Sequence, residues 1–262
     1  GDMKDQTPNA CWDALKLSPC AIALIHAPTE EMCIYSVERK PKLLKLIKSF
    51  QNEKICWSAL KKSPSAIKYI VNQTEEMCFE SIRRCPGNIK YVKNPSIKMC
   101  RESIKGDGFA IQYIKEEMKT EELCLEDIEL HGKDCGNLID FMPQTPKICL
   151  ASVKQLGSTI GHVKIQTIEL CLEALDQCLS SIMEIKDELL PEVIKCYKET
   201  HPINFVEKLT ENGLYLAFID AGLQTPEMCL TAVQNNGQAL KFVKHKTRSE
   251  ERRVGKECRS RW

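Results

Sequence analysis

The chain has 262 residues, of which 43% are hydrophobic and 28% charged, enough apolar material for one or two buried cores. Thirty-seven basic and 36 acidic side chains give a formal net charge of +1, and this composition excludes a disordered or collagen-like chain. No window approaches 18 uninterrupted apolar residues, and the first residues lack the basic start, apolar run and cleavage site of a secretory leader, so no membrane association and a cytoplasmic location are expected.

Cysteines recur at Cys11, Cys33, Cys56, Cys78, Cys100, Cys124, Cys149, Cys171 and Cys229, and most intervals are 22 to 25 residues. Four residues before each stands a helix-capping type: Thr7, Thr29, Asn52, Thr74, Ser96, Thr120, Thr145, Thr167 and Thr225. Pro8, Pro146 and Pro226 follow at the first helical position, where a missing N–H costs nothing, and Glu30, Glu31, Glu75, Glu76, Glu121 and Glu122 suit the positive end of the helix dipole. Apolar residues one before and four after each cysteine, such as Met77 and Ile82, predict one buried stripe. Three after comes a small residue in all units but one, which has Asp127. Eight after comes Pro or Gly in all but the Cys171 unit, which has Leu179, and the helix must end there.

Ser18 before Pro19 and Ser63 before Pro64 read as cap and first position of a second helix, whose buried residues stand eleven and fourteen after the cysteine, as in Ile67 and Ile70. Each unit is thus predicted as a helix of about ten residues, a tight turn and a helix of about eight. Helices this short are marginal alone and must stack on their neighbours. The expected architecture is all-α, an α-solenoid of about ten αα-hairpin repeats without a sheet. Residues 1–185 form eight regular repeats, 186–221 an irregular one in which Pro191–Leu209 reads as one longer helix before a second-helix match at Asn212, Gly213, Leu216 and Ile219, and 222–246 the last.

The segment Arg248–Trp262, RSEERRVGKECRSRW, resembles the in-frame translation of a sequencing adapter, so 247–262 is read as a non-native tail and the chain as a fragment of a larger protein. Without it the balance is 31 basic to 33 acidic side chains. The recurring Thr, x, Glu, Met or Leu, Cys, two residues, Ala or Ser, aliphatic, then Gly or Pro resembles the repeat called domain of unknown function 4116. Thr167, Glu169, Leu170, Cys171, Ala174 and Leu175 carry it, as do Thr225, Pro226, Glu227, Met228, Cys229, Ala232, Val233 and Gly237. The resemblance spans about residues 6 to 245, except from Lys186 to Ala221. It implies a helical repeat protein of large DNA viruses and some bacteria or protists, and no known reaction.

No CxxC occurs and no histidine pair has ligand spacing, so no metal or cofactor is expected, and the repeat cysteines read as small core residues in a reducing compartment. Phosphate-loop, GxSxG, HExxH and kinase patterns are absent, and His26, His131, His162, His201 and His245 are scattered. Charge is polarised. Residues Glu38 to Lys105 carry 16 basic and 6 acidic side chains, whereas Glu116 to Glu192 carry 6 and 16. In the basic half Lys45, Lys68 and Lys90 share one position of successive units, followed by Leu46, Tyr69 and Tyr91, with Tyr113 continuing the file.

These residues are candidate partner contacts for an acidic peptide or a nucleic-acid backbone; packing of the tyrosines between units beside solvated lysines is the competing reading. Trp12, Trp57 and Phe79 carry the same ambiguity. The function expected is a non-enzymatic scaffold for an unknown protein partner. The alternatives are an accessory array for an enzyme domain, and a nucleic-acid binder, against which the acidic second half argues.

Overall fold

The computed structural model describes residues 6–134 and 136–244. Among them every regular element is a helix, and the fold is an all-α helical-repeat solenoid. The chain divides into two compact units, Gly1–His131 with Phe141–Pro143, and Gly132–Asp140 with Gln144–Trp262. The non-native tail reading, Cys258 and His245 lie outside the described residues.

In each repeat the first element is an α-helix of ten or eleven residues, as in Glu53–Lys62, Glu75–Arg84 and Ile97–Gly106. All nine cap residues accept a hydrogen bond from the amide three residues on, at 2.9 to 3.3 Å. That satisfies one orphan donor of each first turn. The cysteine next to this turn packs inward: eight of the nine are buried, and Cys229, in the last repeat, is half-buried.

The second element differs from expectation. It is a six-residue 3-10 helix in most repeats, as in Pro64–Tyr69, Pro86–Tyr91 and Gly108–Tyr113, rather than an α-helix of eight. Extended residues bracket it, Ser63 before and Ile70 after, so too few residues remain for an α-helical ladder, and Ile70 closes instead on Ile67 O at 3.1 Å. Proline holds the preceding residue extended at Ser18, Ser63 and Cys85. Ser18 and Ser63 occupy the cap position but their hydroxyls make no capping bond. Asp107, Asn212 and Asn236 do cap, each accepting from the amide two residues on.

Pro191–Leu209 is not one helix. Leu190–Thr200 ends at His201, which leaves helical geometry ahead of Pro202, and Phe205–Lys208 forms a separate short turn. The match at Asn212 and Gly213 is borne out as the 3-10 helix Gly213–Phe218. Some glycines also have a packing reason: a Cβ on Gly157, eight after Cys149, would stand 2.6 Å from Ala174 O of the next repeat, and one on Gly213 of the irregular repeat would stand 1.9 Å from Ala232 O.

Many successive repeats are joined by a glutamine that hydrophobic pattern does not reveal, although Pro28 and Pro95 stand at its position in the Cys33 and Cys100 repeats. Gln73 Nε2 donates to Ile67 O of the preceding 3-10 helix and to Tyr91 O of its own, both at 2.9 Å, while its Oε1 accepts from Lys93 N at 2.9 Å. Gln51, Gln144, Gln166 and Gln224 repeat the arrangement, and Gln6 makes its own-repeat half. In the Cys124 repeat the position holds Lys119, whose buried Nζ donates to Phe141 O at 2.7 Å and pairs with Glu116. The ends of the 3-10 helices, which would otherwise leave orphan carbonyls, are thereby closed.

Candidate interaction surface

The eight buried repeat cysteines form no disulfide. Burial pushes the thiols of Cys33, Cys56, Cys124 and Cys171 up to about 11, and raises those of Cys78, Cys100 and Cys149. A thiolate is the reactive form, so these sulfurs behave as small apolar core groups. Among the described residues no three His, Cys, Asp or Glu side chains converge as metal ligands. No described helix is long and apolar enough to cross a membrane.

His131 covers Gly108 and contacts Ile104 O at 2.8 Å, and His162 pairs with Asp140 at 2.8 Å. His26 lies exposed, its backbone amide held by Gln6. His201 lies between Thr200 Oγ1 at 2.9 Å and Asp176 at 3.2 Å, superficially a nucleophile, base and acid in line. The Thr200 hydroxyl, however, is placed to donate to Cys196 O and Tyr197 O, and the imidazole stacks on Tyr197 at 4.0 Å. The hydroxyl proton is engaged by the helix end.

The basic surface is more distinctive. Along the α-helices some of its cations are paired, Lys54 with Glu30, Arg83 with Glu102, Arg84 with Glu80, and Arg101 with Glu122 and Glu126, while among the described residues Lys61, Lys62, Lys98 and Lys105 are not. Along its 3-10 helices none is. Lys45, Lys68 and Lys90 are exposed, and among the described residues none has a carboxylate within ion-pair distance. Lys68 Nζ lies over the Tyr69 ring at 4.8 Å and over Tyr91 at 5.5 Å; Lys90 Nζ lies over Tyr91 at 5.2 Å and Tyr113 at 4.2 Å. Hydrogen bonding to Tyr69 holds the Lys68 ammonium above its ordinary range.

Two lysines and three tyrosines of three consecutive repeats therefore alternate in one continuous file. Lys45 shares the register but makes none of the ring contacts, because its own repeat has Leu46, without a π face, where the others have tyrosine. The rings are also packed: a Cβ on Gly87 would meet Tyr113 at 3.2 Å. Tyr69 and Tyr91 are half-buried. Thus the tyrosines both stack between repeats and steer the ammonium groups. Beside the first of them, Lys40, Lys42, Lys68 and Tyr69 border a shallow depression of about 270 Å³. The other aromatic candidates are half-buried on the long helices, with Trp12 edge-on to Tyr35 at 5.5 Å, Trp57 Nε1 donating to Glu53, and Phe79 beneath Arg83.

Two features lay outside the sequence reading. The glutamine junction was signalled by Gln directly before the cap at Gln6, Gln51, Gln73, Gln144, Gln166 and Gln224. Asp127, noted only as a departure, is fully buried where Ser81 and Ser103 donate to Pro64 O and Pro86 O of the preceding repeat. Neither carboxyl oxygen has a partner. Burial, followed by Asp107 and Glu126, pushes this carboxyl up to about 8.

The architecture defines a class, the helical-repeat solenoids, whose repeats bury little alone and display long regular surfaces. No protein-family model, curated protein or solved structure matches this chain.

Proposed function

We propose that this chain is a non-enzymatic helical-repeat scaffold for protein–protein interaction, and that the Lys–Tyr file of the basic repeats is its contact surface for an acidic protein segment. The observation that carries the reading is that Lys45, Lys68 and Lys90 recur in register along the 3-10 helices with no carboxylate within ion-pair distance among the described residues, Lys68 and Lys90 of them over tyrosine rings. Lys68 and Lys90, without a carboxylate partner and held over tyrosine rings, lose little freedom when a carboxylate arrives. Buried free thiols in most repeats suit a cytoplasmic setting. Assignment to the family of domain of unknown function 4116 rests on the repeat motif and adds no activity to this reading.

The test is fluorescence polarisation with a labelled poly-glutamate 20-mer. Binding should weaken with salt and fall at least tenfold in the Lys45→Glu, Lys68→Glu, Lys90→Glu triple variant, with thermal stability nearly unchanged because exposed charges contribute little to folding. Undiminished binding in a folded triple variant would remove the file from the function.

A further inference from the structure

We infer that copies of this chain associate head to tail: the open face of the Cys229 repeat takes the Cys11 repeat of a second copy, with the geometry that joins repeats inside one chain. This goes beyond the scaffold reading and does not rest on the Lys–Tyr file. Internal junctions fix which positions face which neighbour. Three, six and thirteen residues after the repeat cysteine, side chains face the preceding repeat: Ser81 donates to Pro64 O, Arg84 to Leu60 O, and Tyr113 lies against Gly87. The residue eight after faces the following repeat, since a Cβ on Gly157 would meet Ala174 O. So does the residue eleven after, whose carbonyl takes the next glutamine, as Ile67 O takes Gln73.

In the Cys11 repeat the positions that face a preceding neighbour hold Ala14, Leu17 and Leu24, and the two leucines are 89% and 71% exposed. In the Cys229 repeat the positions that face a following neighbour hold Gly237 and Leu240. Leu240 is 36% exposed, whereas Ile67, Ile89 and Ile160 at the same position are at most 2% exposed. A solenoid face that meets water is ordinarily polar. Leucines at these positions mark faces built to be covered.

The two faces match each other group for group. A Cβ on Gly237 would meet nothing within 4 Å, and this is the space that Gly157 and Gly213 leave to the carbonyls of Ala174 and Ala232. Ala14 holds the register of those alanines on the other face, so its carbonyl fits there. Gln6 donates one Nε2 hydrogen to Leu24 O at 2.8 Å, and among the described residues the other has no acceptor. In Gln73 the second hydrogen goes to Ile67 O, whose counterpart in the Cys229 repeat is Leu240 O. Leu240 O receives Val243 N at 3.4 Å, as Ile67 O receives Ile70 N, and has the same second lone pair for a glutamine. An unrelated partner would have to reproduce the small, apolar and glutamine positions of a repeat; a second copy already carries them. The contact joins unlike faces, so it adds copies in one direction rather than closing a two-fold dimer.

Sedimentation velocity of the full chain in reducing buffer, over a concentration series, reads the association. Two variants block one face each: Leu17→Glu with Leu24→Glu on the head, and Gly237→Glu on the tail. All three positions are open within one copy, so circular-dichroism melts at the lowest concentration should match the wild type. Wild type should form dimers and longer species as concentration rises. Each variant alone should stay monomeric, and an equimolar mixture should form dimers and stop there, because one free head meets one free tail.

A wild type that stays monomeric throughout overturns the inference, and so does a mixture of the two folded variants that fails to dimerise. Association of either variant alone also overturns it, since the contact would then use one face twice or another surface. A lower melting temperature for dilute Gly237→Glu would put residues 245–262 of the same copy on that face, again against a second copy. None of these outcomes bears on the Lys–Tyr file, which the poly-glutamate titration tests separately.

Discussion

Removing one junction glutamine should loosen the stack where two repeats meet. Gln166 is 8% exposed and makes three hydrogen bonds, from Nε2 to Ile160 O at 3.0 Å, from Nε2 to Glu184 O at 2.9 Å, and from Lys186 N to Oε1 at 2.9 Å. At about 1 kcal/mol each, and with two carbonyls left short of a donor, Gln166→Ala should cost roughly 3 kcal/mol. Urea unfolding followed by circular dichroism reads this directly. For a slope near 2 kcal/mol/M the midpoint should fall by about 1.5 M. Gln166→Glu should be worse than Ala, because a carboxylate would face the two carbonyls. Gln112→Ala is the control: Gln112 makes only a local bond to Phe109 O on an exposed turn, and its loss should cost under about 0.5 kcal/mol. Equal midpoints for Gln166→Ala and Gln112→Ala would refute the idea that the glutamines hold the repeats together.

Asp127 should make the protein less stable as pH rises. Burial pushes its folded carboxyl up to about 8, against about 3.9 for an ordinary aspartate, so the native state binds the extra proton between about pH 4 and 8, and stability falls through that window by up to about 1.4 kcal/mol per pH unit. Asp127→Ser, which restores the residue of neighbouring repeats, should flatten that slope in urea titrations at pH 5 and pH 8; an unchanged slope would show that the carboxyl is not the cause. Gly213→Ala should lower the melting temperature strongly, since its Cβ would stand 1.9 Å from Ala232 O, whereas Gly237→Ala meets nothing within 4 Å and should be neutral or slightly stabilising in the same melt. In a thiol-labelling time course on folded protein, the exposed Cys20 and Cys178 should react first and the eight buried repeat cysteines only slowly. Fast labelling of Cys56 or Cys171 by peptide mapping would contradict their burial.

The period, the caps and the turn positions were legible because each depends on residues only a few places apart. Thr74 caps Met77 N, and Pro64 constrains Ser63, whatever the rest of the chain does. The spacing of Ile67 and Ile70 suits a 3-10 turn as well as an α-helix, so periodicity could not distinguish them; only the extended residues at both ends decide. Pro202 marks the break, but the apolar residues on either side of it keep a helical spacing that masks it. The register of Lys68, Lys90, Tyr91 and Tyr113 was visible as a repeat, but which ammonium covers which ring depends on how one repeat sits on the next. Gln73 escaped notice for the same reason, since its partner Tyr91 is 18 residues away and polar matching leaves no hydrophobic trace.

The glutamine junction also bears on how such a chain acquires its structure. The hydrogen bonds that join one repeat to the next connect residues between 5 and 27 positions apart. Native pairing then requires closing only short loops, whose entropic cost is small, so relative contact order is low and folding should be fast for the chain's length. Two adjacent repeats joined by such a glutamine contain a complete junction, and the process can start at any such pair and spread in either direction. Because the junction is written into the few residues around each Gln–Thr or Gln–Asn step, duplication of one repeat carries its own adhesive with it, and a longer array needs no redesigned interface.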